Sequence, residues 1–259
     1  MKTLGFIVVA VIGALLIYAE GDFPAWGDPQ SPASQHAISR HFISQAMSET
    51  AVPNMVTAVL ADYRGYDTMF ETVVIFTAGI AIIGILGMAR LTDRESLEPM
   101  SETEPADRDM IVINTCRLLI PVMQLFAFYV VAHGHHSPGG GFQGGVILGV
   151  SFILWAIARD LPTALRGIRP RRMIFLAALG VVIYAGTGAL SLAMDAKLLD
   201  YSALQGFLPP APAGALPSEI MARSHGMLVV EVGVAFTVSA IMFGIYTYLS
   251  SMGRLKGGF

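Results

Sequence analysis

Residues 118–158 read LLIPVMQLFAFYVVAHGHHSPGGGFQGGVILGVSFILWAIA, a run without Lys, Arg, Asp or Glu. A bilayer core about 30 Å thick is crossed by roughly 20 apolar residues in a helix, so this run is too long for one crossing. SPGGGFQGG interrupts it in the middle, and the spacing predicts two helices joined at the glycines. Gly139, Gly140, Gly141, Gly144 and Gly145 allow a tight reversal and a close approach of helices. The pattern lacks the Gly-Lys-Ser/Thr ending of a phosphate loop, so packing and turn formation are the expected roles.

Outward from this pair, four more apolar runs reach spanning length: 3–19, 72–89, 173–194 and 224–253, the last uncharged except for Glu231. The fold class that follows is an all-α polytopic membrane bundle of about six transmembrane helices. Composition agrees, with 54% hydrophobic and 14% charged residues and a mean hydropathy of +0.62, which excludes an ordinary soluble domain. Sixteen Lys and Arg against nineteen Asp and Glu leave a net charge of −3, too little positive charge for a nucleic-acid partner. The single Cys116 excludes an internal disulfide and any multi-thiolate metal or iron–sulfur site. Residues 3–19 could be a signal peptide, but Tyr-Ala-Glu-Gly-Asp at 18–22 is a poor cleavage site, so the segment is expected to be retained.

Arginine placement sets an expected orientation. Arg159, Arg166, Arg169, Arg171 and Arg172 cluster between the fourth and fifth spans, which puts that loop in the cytoplasm. By alternation both termini, with Lys2, Arg254 and Lys256, are cytoplasmic, while 20–51 and 195–221 face outward. The stretch 90–110 (RLTDRESLEPMSETEPADRDM) is polar, acidic and without an apolar face, as a tether between membrane modules reads. The expected domains are 1–94 with two spans and an outer segment, a cytoplasmic linker at 95–108, and 109–259 with four spans. No repeat at a fixed period is visible, so neither a solenoid nor an inverted-repeat transporter core is supported.

Ionisable groups within the apolar layer are costly and are candidates for an ion path. Glu231 lies about 12 Å along the sixth span from Arg223, flanked by Val229, Val230, Val232 and Val234, where no solvated face explains it. Its alternatives are a proton or cation path and a structural hydrogen bond to a neighbouring helix. His225 stands six residues earlier, roughly 9 Å away along the axis, within reach of a water-linked relay. Glu71 precedes the second apolar run and reads either as a proton-exchanging group or as an interfacial carboxylate that reaches water. Upstream, VPNMVTAVLADYRGYDTMFE predicts a short helix capped near Asn54 and ending at Gly65. Arg64 has Asp62 before it and Asp67 after it, so a local charge cluster is expected, with a role for Asp62 in ion admission as the alternative. His133, His135 and His136 precede the glycines, but His-x-His-His is not a zinc spacing and no acid or cysteine completes a set, so no metal is expected. Arg117 is expected to snorkel or to pair with an acid of another helix, and Cys116 to be a small buried residue.

Arg117-Leu-Leu-Ile-Pro, HGHHSPGGGFQGGVILGVSFIL and, in the last span, EVGVAFTVSAIMFGIY strongly resemble the MnhB family, the B subunit of multisubunit Mrp-type Na⁺/H⁺ antiporters. The resemblance covers 110–252 and carries over the motif's glycines and His133. Residues 20–90, with GDPQSPASQH and VPNMVTAVLADYRGYDT, resemble the E subunit of membrane-bound hydrogenase and related complexes, and the C-terminal end of the Mrp A subunit. The resemblance implies a subunit that contributes scaffold and part of an ion or proton path for Na⁺ and H⁺, not an enzyme and with no cofactor of its own. It also implies other membrane subunits as partners, both large antiporter-like and small ones like the J and K subunits of respiratory complex I. The implied location is the inner (plasma) membrane. The same modules serve redox-driven pumps such as membrane-bound hydrogenase, so an accessory role there is the first alternative. A structural adaptor that conducts nothing is the second.

Overall fold

A computed structural model describes residues 2–92, 110–207 and 217–251. The acidic linker expected at 95–108, and Arg254 and Lys256, lie outside the described residues. The chain divides into two compact units, residues 1–45 and 46–259. The first holds α1 (Lys2–Glu20) and α2 (Pro32–Gln35), and α3 (Ala37–Thr50) runs from it into the second. Helix α1 is apolar on every face, whereas α2 is a single turn started by Pro32 with the Ser31 hydroxyl accepting from the Ser34 N–H.

The second unit is built around α10 (Ser218–Ser250). Its apolar window is 67% buried, against 28% for α9 (Pro170–Ala193) and 11% for α6 (Met110–Ala132), which marks α10 as the central helix. Helices α9, α7 (Gly141–Arg159) and α5 (Gly65–Thr92) pack on it, and α6 packs on α7. Small residues let the backbones approach: a β-carbon at Gly180 would fall 2.2 Å from the Gly233 carbonyl oxygen, and one at Gly145 3.0 Å from the Ala235 backbone. Thr237 Oγ1 also donates across this seam to the Ala177 carbonyl at 3.0 Å. A short helix α8 (Leu161–Gly167), capped by Asp160, tucks Leu161 and Ala164 against Ala156 and Phe243 at one end of the bundle.

Among the described residues six helices are long and apolar enough to cross a membrane: α1, α5, α6, α7, α9 and α10. The protein is a multi-pass membrane bundle of all-α class. Its helices start earlier than charge-free runs suggest. Helix α5 begins at Gly65 instead of 72, and α10 at Ser218 instead of 224, because Asp67 and Glu219 sit in first turns where the helix dipole favours acids. The reversal between α6 and α7 occupies 133–140, so Gly141, Gly144 and Gly145 are helical and act at helix contacts instead of in the turn. Gly65 does not end the short helix after Asn54. That helix, α4 (Met55–Ala58), continues as a π-helical turn over Val59–Tyr63, and Gly65 opens α5.

Candidate functional site

Four elements line a partly open cavity of about 330 Å³ in the second unit. Helix α10 supplies Val230, Glu231 and Val234, and α5 supplies Thr68, Glu71 and Thr72. Spacings of three and four residues put Thr68, Glu71 and Thr72 on one helix face. The segment from α4 through the π-helical turn adds Thr57, Leu60 and Ala61, while Gly139 to Gln143 closes the wall beside α7. Glu231 and Glu71, predicted separately from sequence, therefore line one cavity.

Glu231 is 7% exposed, and its Oε2 finds no hydrogen-bond partner among the described residues. The carboxylate lies under the α6–α7 reversal: a β-carbon at Gly140 would fall 2.8 Å from Oε1, and one at Gly134 3.2 Å from Oε2. Gly140 has φ +126°, a backbone state that side-chain-bearing residues resist, so glycine is required there for conformation and for space. Gly141 lies against the Glu231 carbonyl, where a β-carbon would come within 2.0 Å, so this first turn of α7 sits directly on the backbone of α10.

The hydroxyls around the cavity have committed protons. Thr57 Oγ1 donates to the Gly134 carbonyl, Thr68 Oγ1 to the Leu60 carbonyl and Thr72 Oγ1 to the Thr68 carbonyl, each at 2.8 Å. With its proton spent on the backbone, each hydroxyl has only lone pairs left to offer. With two carboxyl groups beside them, the threonine side of the lining is acceptor-rich and suits a cation or a proton, while Gln143 and the first-turn N–H groups of α7 add donors on another wall.

Asp62 does not share the cavity wall. Its Oδ2 and Oδ1 accept from Arg223 Nε and Nη2 at 2.8 and 2.9 Å, a two-pronged pair joining the π-helical turn to α10. The expected cluster around Arg64 reduces to Arg64 with Asp67. Asp62 instead meets an arginine 161 positions away, which neighbouring residues could not reveal. Burial pushes the Asp62 carboxyl above its ordinary value, opposed by the hydrogen bond and charge of Arg223. Tyr201 Oη donates to the Ala61 carbonyl at 3.0 Å and Tyr184 Oη to the Gly65 carbonyl at 2.8 Å, so this segment is fastened at three points. The Arg223 guanidinium also lies over the Tyr63 ring, 5.6 Å from its centre, and Tyr63 Oη donates to Glu49 Oε2 at 2.5 Å.

The histidines separate. His133 stacks on Tyr129 with ring centres 4.9 Å apart, and His136 lies 5.4 Å from His133. His135 turns inward, with Nδ1 3.5 Å from Ser224 Oγ and a buried Nε2 that has no partner among the described residues. Burial lowers its titration to about 4, helped by the nearby His136 and His225, so it is neutral at pH 7. His225 Nδ1 is likewise buried without a partner, but His225 does not line the cavity of Glu231. Cys116 is buried and free, and Arg117 is exposed on α6. Sequence reasoning missed Arg223, the three threonines and Gln143. The repeat of Thr68, Glu71 and Thr72 along one helix face was a legible signal for two of these.

A bundle of membrane helices around a cavity lined by two carboxyl groups defines an integral membrane protein with a polar site on its central helix. Residues 111–244 match the family described as the domain related to the MnhB subunit of Na⁺/H⁺ antiporter, and the chain belongs to that family. Residues 30–103 match the family of the MBH E subunit. The B subunit of the Na⁺/H⁺ antiporter of Bacillus subtilis is 31% identical over 135 residues, which is 52% of this chain and 93% of that protein. Among solved structures, a chain of the membrane-bound sulfane sulfur reductase, an archaeal respiratory membrane complex, superposes with a TM-score of 0.70 at 26% identity. That likeness covers 96% of this chain and 97% of the other. A chain of the Mrp complex from a Dietzia species shares the fold with a TM-score of 0.60 at 24% identity, over 94% of this chain and 26% of that one.

Proposed function

We propose that this chain is a membrane subunit of a multisubunit monovalent cation/proton antiporter, and that the cavity of Glu71 and Glu231 is part of its ion or proton path. Glu231 carries the reading: an acid 7% exposed on the central helix, with an oxygen unpartnered among the described residues, is costly unless it exchanges its charge. The acceptor-rich threonine lining supports the same conclusion. Two membrane modules joined through 95–108 form the chain, and the cavity draws residues from both. Partner helices of large antiporter-like subunits and of small subunits similar to complex I J and K complete the path. The termini and the arginine cluster at 159–172 lie in the cytoplasm of a cell bounded by this inner membrane.

The end-to-end likeness to a chain of the sulfane sulfur reductase complex favours a second reading, an accessory membrane subunit of a redox-driven pump. Mass spectrometry of the complex purified with this chain separates the two, because a redox pump brings its oxidoreductase subunits along. For the path itself, the complex carrying Glu71→Gln and Glu231→Gln together is reconstituted into liposomes. Loss of cation-dependent proton movement with assembly intact is the expected result. Wild-type movement would leave the chain as an adaptor.

A further inference from the structure

Asn54 belongs to the first module, yet three of its hydrogen bonds leave it. Its backbone N–H donates to the His135 carbonyl at 2.9 Å, and its Nδ2 donates to the carbonyls of Gly134 and Ser137, each at 2.8 Å. Nδ2 also lies 3.0 Å from Thr57 Oγ1, while Oδ1 accepts from the Val56 N–H at 3.1 Å and caps α4. The cap needs only an acceptor, which Asp or Ser would supply equally well. Reaching two carbonyls of a distant loop needs the paired donors of an amide.

The loop so held is the one over Glu231. Gly134, gripped through its carbonyl by Asn54 and Thr57 together, packs on Glu231 Oε2, and Gly140 packs on Oε1. The loop also holds to its own surroundings, with the Gly140 N–H on the Val130 carbonyl and His135 Nδ1 beside Ser224 Oγ, and Asn54 adds the grip from the first module. We propose that Asn54 is a positioning residue for Glu231: by clamping residues 134–137 from the first module, it holds the glycine loop over the carboxylate and sets its access to water and ions. This rests on the reading of Glu231 as the exchanging group.

The test is the rate at which a water-soluble carbodiimide with an amine nucleophile modifies Glu231, read by peptide mass spectrometry on the full chain in lipid nanodiscs. Asn54→Asp keeps the cap but loses both donors, and labelling of Glu231 is expected to rise about tenfold as the loop lifts. Asn54→Ala should match it. An unchanged rate in both overturns the proposal, as does a rise confined to Asn54→Ala, which would trace the effect to the cap. Should those variants fail to fold, Thr57→Val removes the second donor to the Gly134 carbonyl, with about a threefold rise expected and no rise contradicting the clamp. Labelling does not depend on transport. Wild-type transport with Glu231→Gln overturns the ion-path reading, whereas wild-type labelling with Asn54→Asp overturns the clamp.

Discussion

Single groups around the cavity are placed under opposing demands. Asp62 is 9% exposed at its side chain and Arg223 23%, so removing either leaves a poorly solvated charge behind. Asp62→Asn is expected to lower stability by roughly 2–3 kcal/mol, measured by thermal unfolding in detergent. The double variant Asp62→Asn with Arg223→Met should recover part of the loss, and strict additivity would show that the pair is not coupled. His135 behaves differently. Its titration falls from 6.5 to about 4 in the fold, so the unfolded chain binds the extra proton more readily between those values. Stability contributed by the neutral ring is complete above pH 6.5 and is lost as pH falls toward 4. His135→Gln should flatten that part of the pH–stability curve, and an unchanged slope would assign it to other groups.

Helices meet here through glycine, and their contacts give sharper tests than their hydrophobicity does. Gly180 on α9 and Gly233 on α10 face one another backbone to backbone, so Gly180→Leu should push the helices apart and reduce the yield of folded protein. Gly186 on the same helix has nothing within 4 Å of an added β-carbon, so Gly186→Leu serves as the control with near-normal yield. Equal yields would mean that the α9–α10 seam is looser than described. Long apolar runs made all six spanning helices legible in the sequence, because a membrane helix needs little else to be recognised. A break between two helices was equally plain, although it falls at 133–140 and leaves Gly141, Gly144 and Gly145 inside α7. Pairings that join distant positions were not legible: Asp62 with Arg223, Tyr201 with Ala61 and Asn54 with Gly134 depend on how helices are arranged, which no local pattern encodes. Glu231 stood out because a lone acid in an apolar helix demands a reason, whereas Thr57 looked like any threonine until its proton was seen committed elsewhere.

The cavity takes its walls from both halves of the chain, the segment matching the MBH E subunit and the segment matching the MnhB domain. Such a cavity forms only when the two halves are seated together. With six spans and two carboxyl groups lining one cavity, the path is expected to need partner helices, so the purified chain alone in liposomes should show no sodium-dependent proton flux above empty vesicles. Robust flux would place the whole path within it. Orientation is open to an equally direct check: a cysteine introduced at position 169 should resist an impermeant thiol reagent in intact cells, and ready labelling would invert the topology. The role of Glu231 itself is decided by sodium-dependent proton flux through the reconstituted, fully assembled complex carrying Glu231→Gln, a change that keeps size but cannot ionise. A fall of about a hundredfold with the full set of subunits retained is expected; flux at the wild-type rate and with the wild-type pH dependence would show that Glu231 only packs.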